Sequence, residues 1–184
     1  MKPALAGALV AALLAGRTAA ARADDGPALT TVSLEPRALS AHGLAIEAER
    51  DLPAHRASLA AALALRSTAG GDYASTTLGA GLELRYWLRR RAVWTHRPRG
   101  AAVGWYLAAR IDVSRTALRD AMDTSLGAMT TVGTALLVGY RFAPWRGLEV
   151  RPYAGLAVRT DTGGDLPAWT RGSLGYGLAL GWTF

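Results

Sequence analysis

The 184-residue sequence contains no cysteine, one lysine at position 2, three histidines and only two phenylalanines. Without cysteine the chain forms no disulfide, holds no thiolate metal site and offers no thiol for a lipoprotein anchor. His42, His55 and His96 are scattered over different turn-rich stretches, so no metal-ligand spacing exists and no cofactor is expected. Apolar residues make up 51% of the chain, yet no uncharged apolar run is long enough for a membrane-spanning helix. The formal net charge is +7, but the basic residues do not form a patch with interleaved aromatics, which argues against a nucleic-acid partner. Gly79-Ala-Gly81 lacks the strand–turn–helix context of a nucleotide-binding fingerprint.

What is present begins with an export signal. Lys2 supplies a positive start, Ala4 to Ala15 an uncharged apolar core, and Ala21-Arg22-Ala23 a small-residue cleavage site. The expected division is a signal peptide over 1–23 and one mature domain over 24–184. Removing Lys2, Arg17 and Arg22 with the signal lowers the net charge from +7 to +4 and leaves arginine as the only permanent cation.

The last twelve residues, Ser173 to Phe184, set the pattern for the rest. Tyr176, Leu178, Leu180, Trp182 and Phe184 share one side of a two-residue repeat, and Gly175, Gly177, Ala179, Gly181 and Thr183 share the other. A helix would scatter these groups around its circumference, whereas a strand puts every large apolar side chain on one face. The segment is uncharged and has the length of a tilted membrane-spanning strand. In a soluble protein it would be an aggregation hazard.

Seven earlier segments repeat the alternation, separated by turn-rich stretches. They are expected near 29–37, 42–50, 56–68, 76–88, 102–113, 128–142 and 148–160. The third is rich enough in alanine to compete as a helix, but Leu59, Leu63 and Leu65 stay in phase with a strand. Loops are expected at Ala69–Tyr73, at Ser114–Leu126 with one helical turn, and at Asp161–Gly172; Arg89–Gly100 forms a basic connection. Pro152 inside the seventh segment breaks a local rule, because proline cannot donate to a strand ladder.

The large-residue faces carry essentially no charge, while the mid-strand charges fall on the small-residue faces. A soluble sandwich would do the reverse. The expected fold is therefore all-β, an eight-stranded antiparallel up-and-down transmembrane β-barrel following a cleaved signal peptide. Its narrow interior would hold a charge network of Glu47, Glu49, Glu83 and Glu149 with Arg85, Arg110, Arg141 and Arg151, since unpaired charges there would be expensive. With the amino terminus on the periplasmic side, Tyr86, Trp87, Trp105, Tyr106, Tyr140, Phe142, Trp145, Trp182 and Phe184 fall near inner strand ends. Tyr73, Trp169 and Tyr176 fall near outer ends, so two interfacial girdles are expected.

With the signal peptide and the closing strand Tyr176–Phe184, the mature chain resembles the small eight-stranded outer-membrane barrels of the OmpA/OmpX-like group. Ile46-Glu-Ala-Glu-Arg50, Leu84-Arg-Tyr-Trp87 and Gly104-Trp-Tyr-Leu107 are similar to strand ends in that group. The resemblance implies residence in the bacterial outer membrane after export through the periplasm. It also implies that Tyr176, Leu178, Leu180, Trp182 and Phe184 act as the signal read by the barrel-assembly machinery. The expected role is non-enzymatic, structural or surface-interacting, with outer-membrane lipids as surroundings, a possible external partner at the outer loops and an interior plugged by side chains. Two alternatives stand beside it. One is a lipid A-modifying enzyme using His42 with Ser40, Asp72 and Ser75, although no His-x-Ser pair occurs. The other is a narrow channel.

Overall fold

The computed structural model describes residues 30–34, 43–52, 56–70, 72–88, 91–92, 102–122, 124–144, 148–163 and 166–183. Among these there is no helix. The elements are β1 (Thr30–Leu34), β2 (Gly43–Leu52), β3 (Ala57–Gly70), β4 (Tyr73–Trp87), β5 (Arg91–Ala92), β6 (Ala102–Asp120), β7 (Ser125–Arg141), β8 (Leu148–Gly163) and β9 (Leu166–Thr183). Neighbours in the chain pair antiparallel, β4 pairs with β6, and β1 pairs with β9. The result is a ring of eight antiparallel strands in one sheet, with the two-residue β5 added at the start of β6. The signal segment 1–23, the three histidines, Ser40, Trp145 and Phe184 lie outside the described residues.

The register fixes the geometry of the ring. From Trp182 on β9, the paired residues run Val32, Ala48, Ala61, Leu82, Ile111, Thr134 and Val158, and return to β9 at Gly172. One circuit therefore climbs ten residues along the strand, from 182 to 172. For eight strands with ordinary spacings, that stagger corresponds to a strand tilt of about 40° and a backbone diameter of roughly 16 Å.

Alternation decides which way each side chain points. β3 shows it best: although Ala-rich, it pairs along its whole length with β4, buries Ser58 and Ala60, and leaves Leu59 and Leu65 exposed. Cross-strand pairing on both edges overrides its helix propensity. Pro152 sits where the β7–β8 ladder is interrupted, between the pair Gly139–Tyr153 and the isolated bridge Phe142–Val150, so its missing N–H leaves no ladder bond unmade.

Three expected loops turn out to be strand. β3 and β4 run to a two-residue connection at Gly71-Asp72, and β8 and β9 to another at Gly164-Asp165. β6 continues to Asp120 and β7 begins at Ser125, where the sequence suggested a polar loop with a helical turn. Asp120 closes that connection by accepting the backbone N–H groups of Met122 and Thr124. Glycine followed by aspartate is the chemistry of a tight hairpin, and its pairing propagates through flanking residues that have lost apolar periodicity. All three of these connections lie at one end, called here the hairpin end; β1 starts and β9 finishes at the other, the terminal end.

The outward face is apolar through its middle. Leu136, Leu156 and Leu174 are register neighbours on β7, β8 and β9, and are 70%, 67% and 78% exposed. On β8 the outward positions are uncharged and largely apolar from Leu148 to Val158, then turn to Thr160 and Thr162. Ten residues at this tilt span about 25 Å. Among the described residues, outward charges are confined to the ends, with Arg50 at the terminal end and Arg115 and Arg119 at the hairpin end.

Candidate functional site

The interior of the terminal half holds a dense ion network. Its residues come from strands across the ring: Ser33 on β1, Glu47, Glu49 and Asp51 on β2, Ser58 on β3, Glu83 and Arg85 on β4, Arg141 on β7, and Glu149 and Arg151 on β8. They meet because alternation sends them all inward and the stagger brings them to similar heights.

Glu49 is the centre. One carboxylate oxygen accepts guanidinium groups from Arg85, Arg141 and Arg151, the last at 2.9 Å, and the other accepts the Ser58 hydroxyl at 2.5 Å. Arg85 also donates to Glu47 at 2.7 Å and to Glu83 at 2.5 Å. Arg151 reaches Glu47 at 2.5 Å, Glu149 at 3.1 Å and the Ser33 hydroxyl at 2.5 Å. Arg141 lies 3.4 Å from Glu149 and 4.0 Å from Asp51. Every member except Glu47 is buried. Such a cluster holds only because its charges are paired with one another, as isolated burial would be prohibitive.

Of the eight charges expected to line the interior, seven join this network directly. Arg110 stands apart: it approaches Glu83 and Asp112 only at 4.0 Å, and its side chain is 26% exposed. Asp51 was missed because a turn was expected to start there. It is buried on β2, in phase with Glu47 and Glu49, and that phase is the signal that could have found it.

An aromatic layer packs against the ions. Trp87 and Tyr106, expected in the inner girdle, are instead buried inside the ring, with centroids 5.3 Å apart. The Arg141 guanidinium lies over the Trp87 ring at 4.5 Å and that of Arg85 over Tyr106 at 5.6 Å, so the rings help hold desolvated cations. Leu137 and Tyr153 complete the packing. Strand phase, not closeness to a strand end, decides this: Trp87 and Tyr106 share the parity of Arg85 and Arg110.

The other expected girdle residues at the terminal end that are described face outward. Tyr86, Trp105, Phe142 and Trp182 are about half exposed, and Tyr140 packs between Trp105 and Phe142 at centroid distances of 5.2 and 4.4 Å. The hairpin-end girdle is different. Tyr73 and Trp169 are in phase with the interior face, and Tyr176 faces outward in mid-strand, because β9 continues to Leu166. Of the assembly-signal residues, Tyr176, Leu178, Leu180 and Trp182 all occupy the exposed outward face.

No family model, curated protein or solved structure matches this chain. Its chemistry rests on the geometry alone. Among the described residues, no group of histidine, cysteine, aspartate or glutamate could hold a metal ion. Asp72 and Ser75 lie at the hairpin end; His42 and Ser40, with which they were grouped, lie outside the described residues. The arrangement ties β1, β2, β3, β4, β7 and β8 together across the interior of the terminal half with paired side chains.

Proposed function

We propose that this chain is an outer-membrane β-barrel of a Gram-negative bacterium, similar to the OmpA/OmpX-like group, with a non-enzymatic structural or surface-interaction role. The observation that carries the reading is the inversion of the two faces: an ion network inside, and an exposed apolar band about 25 Å tall outside. A soluble protein would leave that band in water, where so large an apolar surface drives association. In a bilayer the band meets hydrocarbon, Tyr86, Trp105, Tyr140, Phe142 and Trp182 meet one interface, and the charges meet only one another.

In this reading the terminal end faces the periplasm and the hairpin end the exterior. The export signal delivers the chain, and the assembly machinery recognises Tyr176 to Phe184. The network plugs the interior, so the barrel is not an open channel. An external partner would meet the threonine- and arginine-bearing strand ends there.

Two measurements on the expressed full-length chain test this. It should fractionate with the outer membrane, and unboiled protein should migrate differently from boiled protein in a detergent gel. Recovery as soluble periplasmic protein with no heat-dependent shift would defeat the proposal.

A further inference from the structure

The hairpin half of the interior differs from the terminal half: its walls are mostly glycine, alanine, serine and threonine, with Arg110 and Asp112 of β6 among them. Ala64 is exposed although it points inward, and a Cβ built on Gly175 would meet nothing nearer than the Gly155 carbonyl oxygen at 4.0 Å. An eight-stranded ring filled by small residues has room for one small ligand. At this level the charges also change sign. Arg159 on β8 is directly paired in register with Arg171 on β9, both on the interior face and both exposed. Arg171 lies 3.3 Å from Asp161, whose other oxygen accepts the Thr131 hydroxyl. Arg159 has no ion pair within 4.0 Å among the described residues, and its other cross-strand neighbour is Gly133, over which the Asp112 carboxylate of β6 lies. Arg66 has none either, and it reaches in from β3, four places around the ring from β8.

Like charges placed directly opposite on one face of a sheet repel. On this face the carboxylates of Asp161 and Asp112 are outnumbered by the guanidinium groups of Arg66, Arg110, Arg159 and Arg171, so positive charge is left over. We infer that the hairpin-end mouth of the ring binds a small polyanion, carrying phosphate or carboxylate groups, between Arg159 and Arg171 with Arg66 closing from the opposite wall. Planar guanidinium forks match such oxyanions in bidentate geometry. Trp169, with the Arg171 guanidinium 5.5 Å from its ring centroid, lies at the edge of the site and would report on occupancy. The inference uses only the interior face of the ring, so it stands or falls independently of the membrane reading.

The test is calorimetric titration of the full-length folded chain, in zwitterionic detergent, with inorganic pyrophosphate. Saturable binding with one site per chain is expected, weakened at least about tenfold in Arg159→Gln and in Arg171→Gln. Arg56→Gln, an exposed arginine at the terminal end, should bind as the parent does. Without pyrophosphate, Arg159→Gln should be at least as heat-resistant as the parent, since it removes a repulsion. No saturable binding, or an equal loss in all three variants, overturns the inference. A lowered melting point of ligand-free Arg159→Gln would do so as well, by giving that side chain a structural role.

Discussion

The ring of Tyr106 on β6 lies across Gly139, its register partner on β7, in the space a β-carbon would occupy. Tyr153 lies across Gly177 on β9 in the same way. Glu149 lies over Gly181 likewise, and these glycines are what let so narrow a ring accept aromatic rings and ions at one level. Gly139→Ala should therefore overpack the interior and destabilise the fold by about 1–3 kcal/mol. Gly175→Ala, which meets open space, should be nearly silent. Urea unfolding followed by gel mobility measures both. Pairing Gly139→Ala with Tyr106→Leu should recover most of the loss, and failure to recover would mean the clash is not the cause.

Glu49 and Arg110 bracket the range of interior charges. Glu49→Ala leaves Arg85, Arg141 and Arg151 without their common acceptor in a buried site, and should cost about 3–5 kcal/mol or prevent folding. Arg110→Gln removes only contacts at 4.0 Å from a partly exposed group, and should cost less than about 1 kcal/mol. Equal effects would mean that the network is not centred on Glu49.

The outward band yields a test whose sign depends on the surroundings. Leu136 is 70% exposed at mid-band, and arginine there in water would be harmless. In a bilayer Leu136→Arg should cost about 2–4 kcal/mol, against about 0–1 for Thr160→Arg beyond the band. Folding titrations into lipid vesicles compare the two. A silent Leu136→Arg would remove the lipid-facing assignment.

Planar-bilayer recording of the parent protein should show no stepwise conductance, because paired side chains from six strands fill the terminal half of the interior. Stepwise openings at neutral pH would contradict the plug and favour a narrow channel.

How much of this was legible beforehand depended on whether hydrophobic periodicity persisted. From Leu174 to Trp182 the alternation is complete, and the structure follows it residue by residue. Beyond Val113 and Val158 both faces turn polar, the period vanishes, and the chain reads as loop although backbone pairing continues to Asp120 and Gly163. Position along a strand also misled where parity would not have. Trp87 and Tyr106 lie near a strand end like Tyr86 and Trp105, but one residue's shift in phase takes them from the outward face to the interior. Arg66 and Arg159 were visible as charges on the small-residue face, whereas Arg171 fell in an expected loop, and which of them lacked a partner depended on the stagger, which only the register reveals.

The seam between β1 and β9 has a kinetic meaning. It comprises four register pairs, from Thr31–Thr183 to Leu34–Leu180, and joins residues about 150 positions apart, whereas every other seam except that between β4 and β6 is closed by a short connection. Loop-closure entropy makes such a contact the last to be rewarded during folding. Until it forms, β9 offers its unpaired edge to whatever strand comes first, another copy of the chain included. The terminal strand is thus both the piece that completes the ring and the piece most in need of escort before it does.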